Sequence, residues 1–315
     1  MPERCTAYLA PPGLEAELDH ELQAAGVAVR HRHGGLLVAE GPAVEPVWAA
    51  NVWRAAEPIP VASIADAAAE LWRRQRNWAV YAPLHRGRAG LIAARLPHVS
   101  ARPLALRAAA PAAPLGSWTL LEPHLMLAST DCSSPFPNGE IRLVEDRQGP
   151  PSRAYLKLWE LFVRLGRWPQ AGELCVDLGA SPGGWTWLLS ELGARVVAVD
   201  KAPLDPEVAA RPGVTWRQES AFALDPASLA APVAWLCCDV VCYPRRLLPL
   251  IERWRGGGAR NVVCTVKLQG ATDYEAIARL AAIPGGRLAH LHHNKHELTS
   301  ALVESDGEGP GERSG

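Results

Sequence analysis

The sequence predicts an α/β chain: a mostly parallel sheet with flanking helices in the C-terminal half, preceded by a smaller α+β unit. Three observations carry this. From about residue 170 onward, short apolar runs of strand length alternate with helix-length segments, the pattern of successive βα units. Within that region, Cys175-Val-Asp-Leu-Gly-Ala-Ser-Pro-Gly-Gly-Trp-Thr-Trp187 reads as strand, glycine loop and helix. And Asp177, Asp200, Asp239 and Lys267 each stand at the carboxyl end of a strand-like run, the edge of an open α/β sheet where ligands bind.

At 315 residues the chain has room for two domains, and its apolar content supplies an ordinary core. A formal net charge of −1 excludes a globally basic chain, so any nucleic-acid footprint must be local. Of the 32 basic residues only Lys157, Lys201, Lys267 and Lys295 are lysines. Lysine, unlike arginine, can lose its proton, so each of them invites a chemical question. The N-terminus has no charged-then-apolar leader pattern, and no run of about 18 apolar residues suggests a membrane span. The seven cysteines, Cys237 and Cys238 adjacent, do not form a secreted disulfide pattern. These points give the expectation of a cytoplasmic protein with no membrane partner; they leave monomer and weak dimer both open.

Taken in order, residues 4–10 read as a strand, 14–25 as a helix with Leu14, Leu18 and Leu22 on one face, and 27–30 with 36–39 as a hairpin about Gly34-Gly35. Residues 47–55 read as a second helix. In Trp72-Arg-Arg-Gln-Arg-Asn-Trp78, followed by Arg86 and Arg88, cations alternate with aromatics. That mixture suits RNA phosphates and stacked bases; a solvated helix face with its tryptophans turned inward is the favoured reading for any single residue. Residues 101–116, rich in Ala and Pro, read as an irregular connection. A strand at 125–128, a loop at 133–139 and a strand at 141–144 follow. Ser152 is the expected N-cap of a helix whose stripe is Tyr155, Leu158, Trp159 and Phe162. Lys157 lies off the centre of that stripe.

The glycine loop follows the strand 174–178. Gly179, Gly183 and Gly184 permit a tight turn, and Pro182 is expected at the first helical position. The helix runs through Trp185, Trp187, Leu188 and Leu192 to Gly193. Four readings of the loop compete. A dinucleotide loop needs a second glycine where Ser181 stands. A nucleophile elbow, Gly179-Ala-Ser181-Pro-Gly183, needs a backbone N–H after the serine, and Pro182 has none. A plain β–α turn carries no ligand. S-adenosylmethionine (SAM) asks for carboxylates: Asp177 suits its cationic parts, and Asp200, ending the strand 194–199, suits its ribose hydroxyls. Ser220, after the strand 214–217, is a candidate contact to the adenine.

The remaining strands are expected at 233–238, 261–266, 288–293 and 298–303, with helices at 246–254 and 273–282. Asp239 follows the first of these strands and Lys267 the second. The last strand returns antiparallel, so Glu297 at its start reaches the same edge as the carboxyl ends. Two ammonium groups and two carboxylates would then share one cleft. There a lysine near another cation and partly desolvated can act as a base toward a hydroxyl. Residues 305–315 are polar and expected to be disordered. Cys237, Cys238 and Cys242 with His290, His292, His293 and His296 lack zinc-knuckle spacing, so no metal is expected.

This constellation resembles the FtsJ-type RNA ribose 2′-O-methyltransferases, whose Lys-Asp-Lys-Glu tetrad falls on Lys157, Asp239, Lys267 and Glu297. The segments Pro151-Ser-Arg-Ala-Tyr-Leu-Lys-Leu158, Val176-Asp-Leu-Gly-Ala-Ser-Pro-Gly-Gly-Trp-Thr186 and Trp235-Leu-Cys-Cys-Asp-Val240 are similar to one subfamily, ribosomal RNA large subunit methyltransferase M, as is Tyr8-Leu-Ala-Pro-Pro-Gly-Leu-Glu15. The resemblance implies a Rossmann-like SAM-methyltransferase sheet of seven strands, the last antiparallel, over residues 149–304. It implies a cofactor site of Asp177, Gly179, Ser181, Pro182, Gly183, Gly184, Trp185, Asp200 and Ser220. It implies a ferredoxin-like unit over 1–60 and an RNA-binding THUMP-like region reduced to 61–148. The implied substrate is a cytidine ribose in large-subunit rRNA. Another RNA such as tRNA, or a catalytically silent SAM- or RNA-binding assembly factor, are the alternatives.

Overall fold

A computed structural model describes residues 5–304. The tail expected at 305–315 and the first residue of the strand expected at 4–10 lie outside them. The chain divides into two compact units between Val144 and Glu145.

The N-terminal unit is built on one seven-stranded sheet. Its elements are β1 (Cys5–Leu9), α1 (Glu15–Ala24), β2 (Val29–His33), β3 (Leu36–Ala39), β4 (Asn51–Pro60), α2 (Ile64–Arg74), β5 (Trp78–Val80), α3 (Arg86–Ala93), β6 (Gly116–Glu122) and β7 (Leu125–Ser129). The strand order is β2-β3-β1-β4-β7-β6-β5, antiparallel except for the β5–β6 pair. As expected, Leu18 and Leu22 bury the inner face of α1, and β2 and β3 form the hairpin. One sheet therefore runs through both regions expected for this half. Its core includes one cluster around Trp53 and one where α2 and α3 cover Trp118 and Met126.

The helix expected at 47–55 is not formed; that segment leads into β4. Val52 and Trp53 are both buried, and strand geometry puts such neighbours on opposite faces. A doubly buried strand looks in sequence like a piece of buried helix. β4 also changes partners along its length, pairing with β1 over its first half and with β7 from Glu57 to Pro60. Pro58 and Pro60 fall in the half without β1 alongside, where a missing N–H breaks no ladder bond. The strand expected at 141–144 is also absent. Ile141 and Leu143 alternate inward as a strand would, but Leu143 finds one bridging residue, Leu104, in an irregular segment. Alternation reports burial; it does not supply a partner.

The second unit carries α4 (Tyr155–Leu165), β8 (Leu174–Leu178), α5 (Gly184–Glu191), β9 (Arg195–Val199), α6 (Pro206–Ala209), β10 (Val214–Arg217), β11 (Trp235–Cys238), α7 (Leu247–Gly256), β12 (Asn261–Lys267), α8 (Tyr274–Ala281), β13 (Gly286–Ala289) and β14 (Glu297–Leu302). The sheet order is β10-β9-β8-β11-β12-β14-β13. The first five are parallel, and β14 runs antiparallel between β12 and β13. This is the Rossmann-like seven-stranded sheet the sequence predicts. Chain order reverses direction between β8 and β11, which opens a crevice at their carboxyl ends. The core is apolar and aromatic: Phe162 of α4 packs edge-on against Trp235 of β11, with ring centres 5.1 Å apart.

Two local expectations are corrected here. Helix α4 starts after Ala154, three residues beyond the expected cap, and Ser152 Oγ accepts instead from the Ala154 N–H at 3.4 Å. Pro182 is not the first helical residue either. The Ser181–Pro182 peptide is cis and Gly183, at φ +121°, is the N-cap of α5.

Candidate active site

The register of the second sheet decides which side chains meet. Asp177 of β8 lies level with Cys237 of β11 and Ala198 of β9. Asp200 and Asp239 each follow the last residue of their strand. Lys267, the last residue of β12, is paired with Glu297, the first of β14. All five therefore stand at one edge.

Four of the predicted residues form a single network. Lys157 Nζ donates to both carboxylate oxygens of Asp239, at 3.3 and 3.4 Å, and to Glu297 Oε1 at 3.0 Å. Lys267 Nζ donates to the Asp239 backbone carbonyl at 2.6 Å and lies 3.1 Å from its Oδ1. Asp239 thus holds both lysines. The side chain of Lys267 is 21 % exposed and that of Lys157 11 %, so Lys267 is the more accessible ammonium. Glu297 is set by its turn: Asn294 Nδ2 donates to the Glu297 carbonyl and to Thr299 Oγ1, both at 3.1 Å.

Close backbone approach brings the glycine loop to this network. A Cβ on Gly179 would lie 3.0 Å from both the backbone N and the Cα of Val240, so only glycine lets the turn after β8 pass against the residue following Asp239. Asp200 accepts from the backbone N–H of Ser181 at 3.1 Å and of Ala202 at 3.0 Å, which fixes its carboxylate beside the loop. The Ser181 hydroxyl donates to the Pro203 carbonyl at 2.8 Å, an arrangement unlike a nucleophile facing its base. Trp185 is buried, and its indole N–H donates to the Ala154 carbonyl at 2.9 Å, tying α5 to the start of α4 and so to Lys157. Gly184 packs against Ser152 in the same contact. Ser220, after β10, accepts from the Phe222 N–H at 3.4 Å.

Asp177 is fully buried. Its Oδ2 accepts from Thr186 Oγ1 at 2.7 Å, while Oδ1 has no partner. Burial pushes its pKa up to about 7; the Thr186 hydrogen bond opposes this and the nearby Asp239 charge adds to it.

Glu160 is a residue that sequence reasoning missed. It sits on α4 one turn beyond Lys157 with its side chain wholly buried. Arg164 Nε donates to it at 2.7 Å, as do the backbone N–H groups of His292 at 2.8 Å and His293 at 2.9 Å, and His293 Nδ1 lies 2.7 Å away. Burial acts to raise its pKa, but the His293 hydrogen bond and the Arg164 charge overcome it and hold the carboxyl near 2. The same helix therefore grips the β13–β14 connection twice, through Lys157 on Glu297 and through Glu160 on the preceding turn. The signal was present: Glu160 is a carboxylate inside a run of apolar residues, where a charge requires partners.

The cysteines and histidines weighed for zinc have other neighbours. Cys237, Cys238 and Cys242 are buried, and burial raises the thiol pKa of Cys237 and Cys242. His290 Nε2 lies 2.9 Å from the Lys295 carbonyl. Among the described residues no group of three or more His, Cys, Asp or Glu is placed to hold a metal, and no helix is long and apolar enough to cross a membrane.

Residues 150–273 match the family of FtsJ-like methyltransferases. The ribosomal RNA large subunit methyltransferase M of Halorhodospira halophila is 40% identical over 173 residues, 52% of this chain and 50% of that protein. The protein of the same name from Methylococcus capsulatus is 37% identical over 188 residues, covering 55% and 52%; that from Marinobacter nauticus is 35% identical over 198 residues, covering 57% and 54%. The chain spans about half the length of these curated relatives.

Proposed function

We propose that this chain is a SAM-dependent RNA ribose 2′-O-methyltransferase whose substrate is large-subunit rRNA, at a cytidine. One observation carries the reading: two lysines and two carboxylates from α4, β12, β14 and the end of β11 converge in one hydrogen-bonded network. The FtsJ-like match and the relatives named above point to the same chemistry.

The residues present suit SAM. Asp200 offers carboxylate acceptors to a ribose diol beside the glycine loop, and Asp177, whose Oδ1 has no protein partner, is the carboxylate for the cationic part. Gly179, Ser181, Pro182, Gly183 and Gly184 shape the loop, and Ser220 closes the adenine end. Bound, SAM would supply a methyl group on a sulfonium, which leaves as a neutral thioether.

The chain's own part is to orient a ribose hydroxyl and take its proton. Lys157 lies between two carboxylates and positions Asp239 and Glu297. Lys267 has one carboxylate and a carbonyl, is more accessible, and serves as the base that receives the 2′-hydroxyl proton. As the oxygen gains the methyl, its proton passes to Lys267 Nζ in its amine form, and the ammonium so formed returns that proton to solvent. In this reading the N-terminal unit, with its ferredoxin-like region at 1–60 and reduced THUMP-like region at 61–148, holds the RNA, and the protein works in the cytoplasm.

The test is methyl transfer from labelled SAM to in vitro transcribed large-subunit rRNA, with the modified ribose mapped. Lys267→Ala should reduce single-turnover transfer by about 10²–10⁴-fold, the range of a lost general base. Wild-type turnover in that variant would overturn the assignment.

A further inference from the structure

The segment after Asp239 has an unusual surface. Val241 is 69 % exposed and Tyr243 55 % exposed, and they are the only large hydrophobic side chains so exposed among the described residues of the second unit. Both lie within four positions of a tetrad carboxylate. Cys242 and Pro244 between and behind them are buried. Val241 and Tyr243 are exposed on either side of the buried Cys242, and the 3-10 turn Pro244–Arg246 that follows buries Pro244 and exposes Arg245.

This segment is held in place. Leu247 is fully buried, and the Arg246 guanidinium stacks 4.0 Å from the ring centre of Phe222, which ties the segment to the loop after β10. The Arg245 guanidinium lies 5.5 Å from the ring centre of Tyr243. A rigid, water-facing aromatic with a cation beside it has no role in the sheet's core. Exposing it forgoes burial that the fold would otherwise gain. Unpaired bases stack on such rings, and an adjacent arginine meets the phosphate that follows.

We infer that Val241 and Tyr243, flanked by Arg245, form a stacking platform for an unpaired nucleobase of the RNA substrate, seating its ribose toward Asp239 and Lys267. The inference rests on the reading of the site as an RNA ribose methyltransferase and adds to it how the nucleotide is held. The occupant is single-stranded RNA, since a base paired in a helix offers no free face. Tyr243 would act on binding, and the proton transfer would belong to the tetrad.

The experiment compares wild type with Tyr243→Ala, Tyr243→Phe and Val241→Ser. It measures KM and kcat for in vitro transcribed large-subunit rRNA, the dissociation constant of SAM, and binding of a short single-stranded oligoribonucleotide carrying 2-aminopurine. Tyr243→Ala should raise the KM for RNA and weaken oligonucleotide binding by about tenfold, in line with the loss of one stacked base. It should leave SAM binding unchanged and remove the 2-aminopurine quenching. Tyr243→Phe should keep the wild-type values, because the ring face and not the hydroxyl is used. Val241→Ser should give a smaller rise in KM. An unchanged KM in Tyr243→Ala, a phenylalanine variant as weak as the alanine one, or a parallel loss of SAM affinity would each overturn the platform. A wild-type protein that methylates no ribose would overturn the underlying reading itself, whereas wild-type methylation with an indifferent Tyr243 would overturn the platform alone.

Discussion

Both units are built on seven strands, yet only one gathers reactive side chains. In the second unit, five parallel strands deliver their carboxyl ends to a single edge, and β14 returns antiparallel so that Glu297 starts where Lys267 ends. Residues far apart in sequence reach one point because the topology sends them there. The sheet of the first unit is antiparallel but for one pair, so its strand ends alternate between two edges. Its buried polar residues tie strands to loops instead of converging at one cleft. Asn51, for instance, donates to Ser117 Oγ and accepts from Ser133 and Ser134. The difference shows why function can be read from one half and not from the other: a parallel sheet turns chain order into a site, and an antiparallel sheet does not.

Substitutions can break or sharpen this contrast. The largest effect is expected at the shared edge: Lys157→Met should lower single-turnover methyl transfer by about 10²–10⁴-fold, measured at a temperature where circular dichroism shows the variant folded, because Asp239 and Glu297 lose their shared cation. Near-normal transfer would mean that convergence at the edge is not what the chemistry needs. Next comes Glu160→Ala, which leaves His293, two backbone N–H groups and Arg164 without their carboxylate. Removing one side of such a buried charged network costs about 3–5 kcal/mol, to be read from denaturant unfolding. The same carboxyl gives a pH signature. Its folded pKa is held down near 2, so its stabilisation is present above its ordinary value of 4.5 and is lost as pH falls from there toward 2. Wild type should lose more stability than Glu160→Ala over that window.

A smaller effect of opposite sign is expected at Asp177. Its folded pKa is raised to about 7 from 3.8, so the fold binds a proton that the unfolded chain releases, and stability declines as pH rises through that interval. Asp177→Asn should flatten the decline and stabilise the protein at pH 8, seen as a higher Tm. A mutant with the wild-type slope would contradict this. The smallest change is in the other unit. Ser63→Ala removes the side-chain cap that accepts from the Asp66 N–H at 3.1 Å and should cost about 1 kcal/mol. Methyl transfer to a short oligoribonucleotide should be unaffected.

Legibility followed the same division. Asp177, Asp200, Asp239 and Lys267 were readable as strand-end residues because short apolar runs end sharply in a polar one. Glu297 followed once the last strand was read as antiparallel. In the first unit, the start of β4 reads as helix because both its faces are buried, and β6 follows a proline-rich connection that gives no periodic signal. Glu160 escapes because, apart from Arg164 one turn on, its partners are two backbone N–H groups and a histidine on a loop more than 130 positions away, a relation that local pattern cannot express. The onset of α4 was misplaced because serine caps several kinds of turn, and Ser152 caps one that precedes the helix.

The insertion of β14 between β12 and β13 has a consequence for biosynthesis. Strand β13 pairs only with β14, and Lys157 finds its second carboxylate 140 residues downstream. A nascent chain that has exposed everything up to β12 already displays the glycine loop, Asp239 and both lysines. It still lacks the acid that completes the ring and the strand that seals the sheet. The four-residue network is therefore closed only when residues 297–302 slot in between β12 and β13.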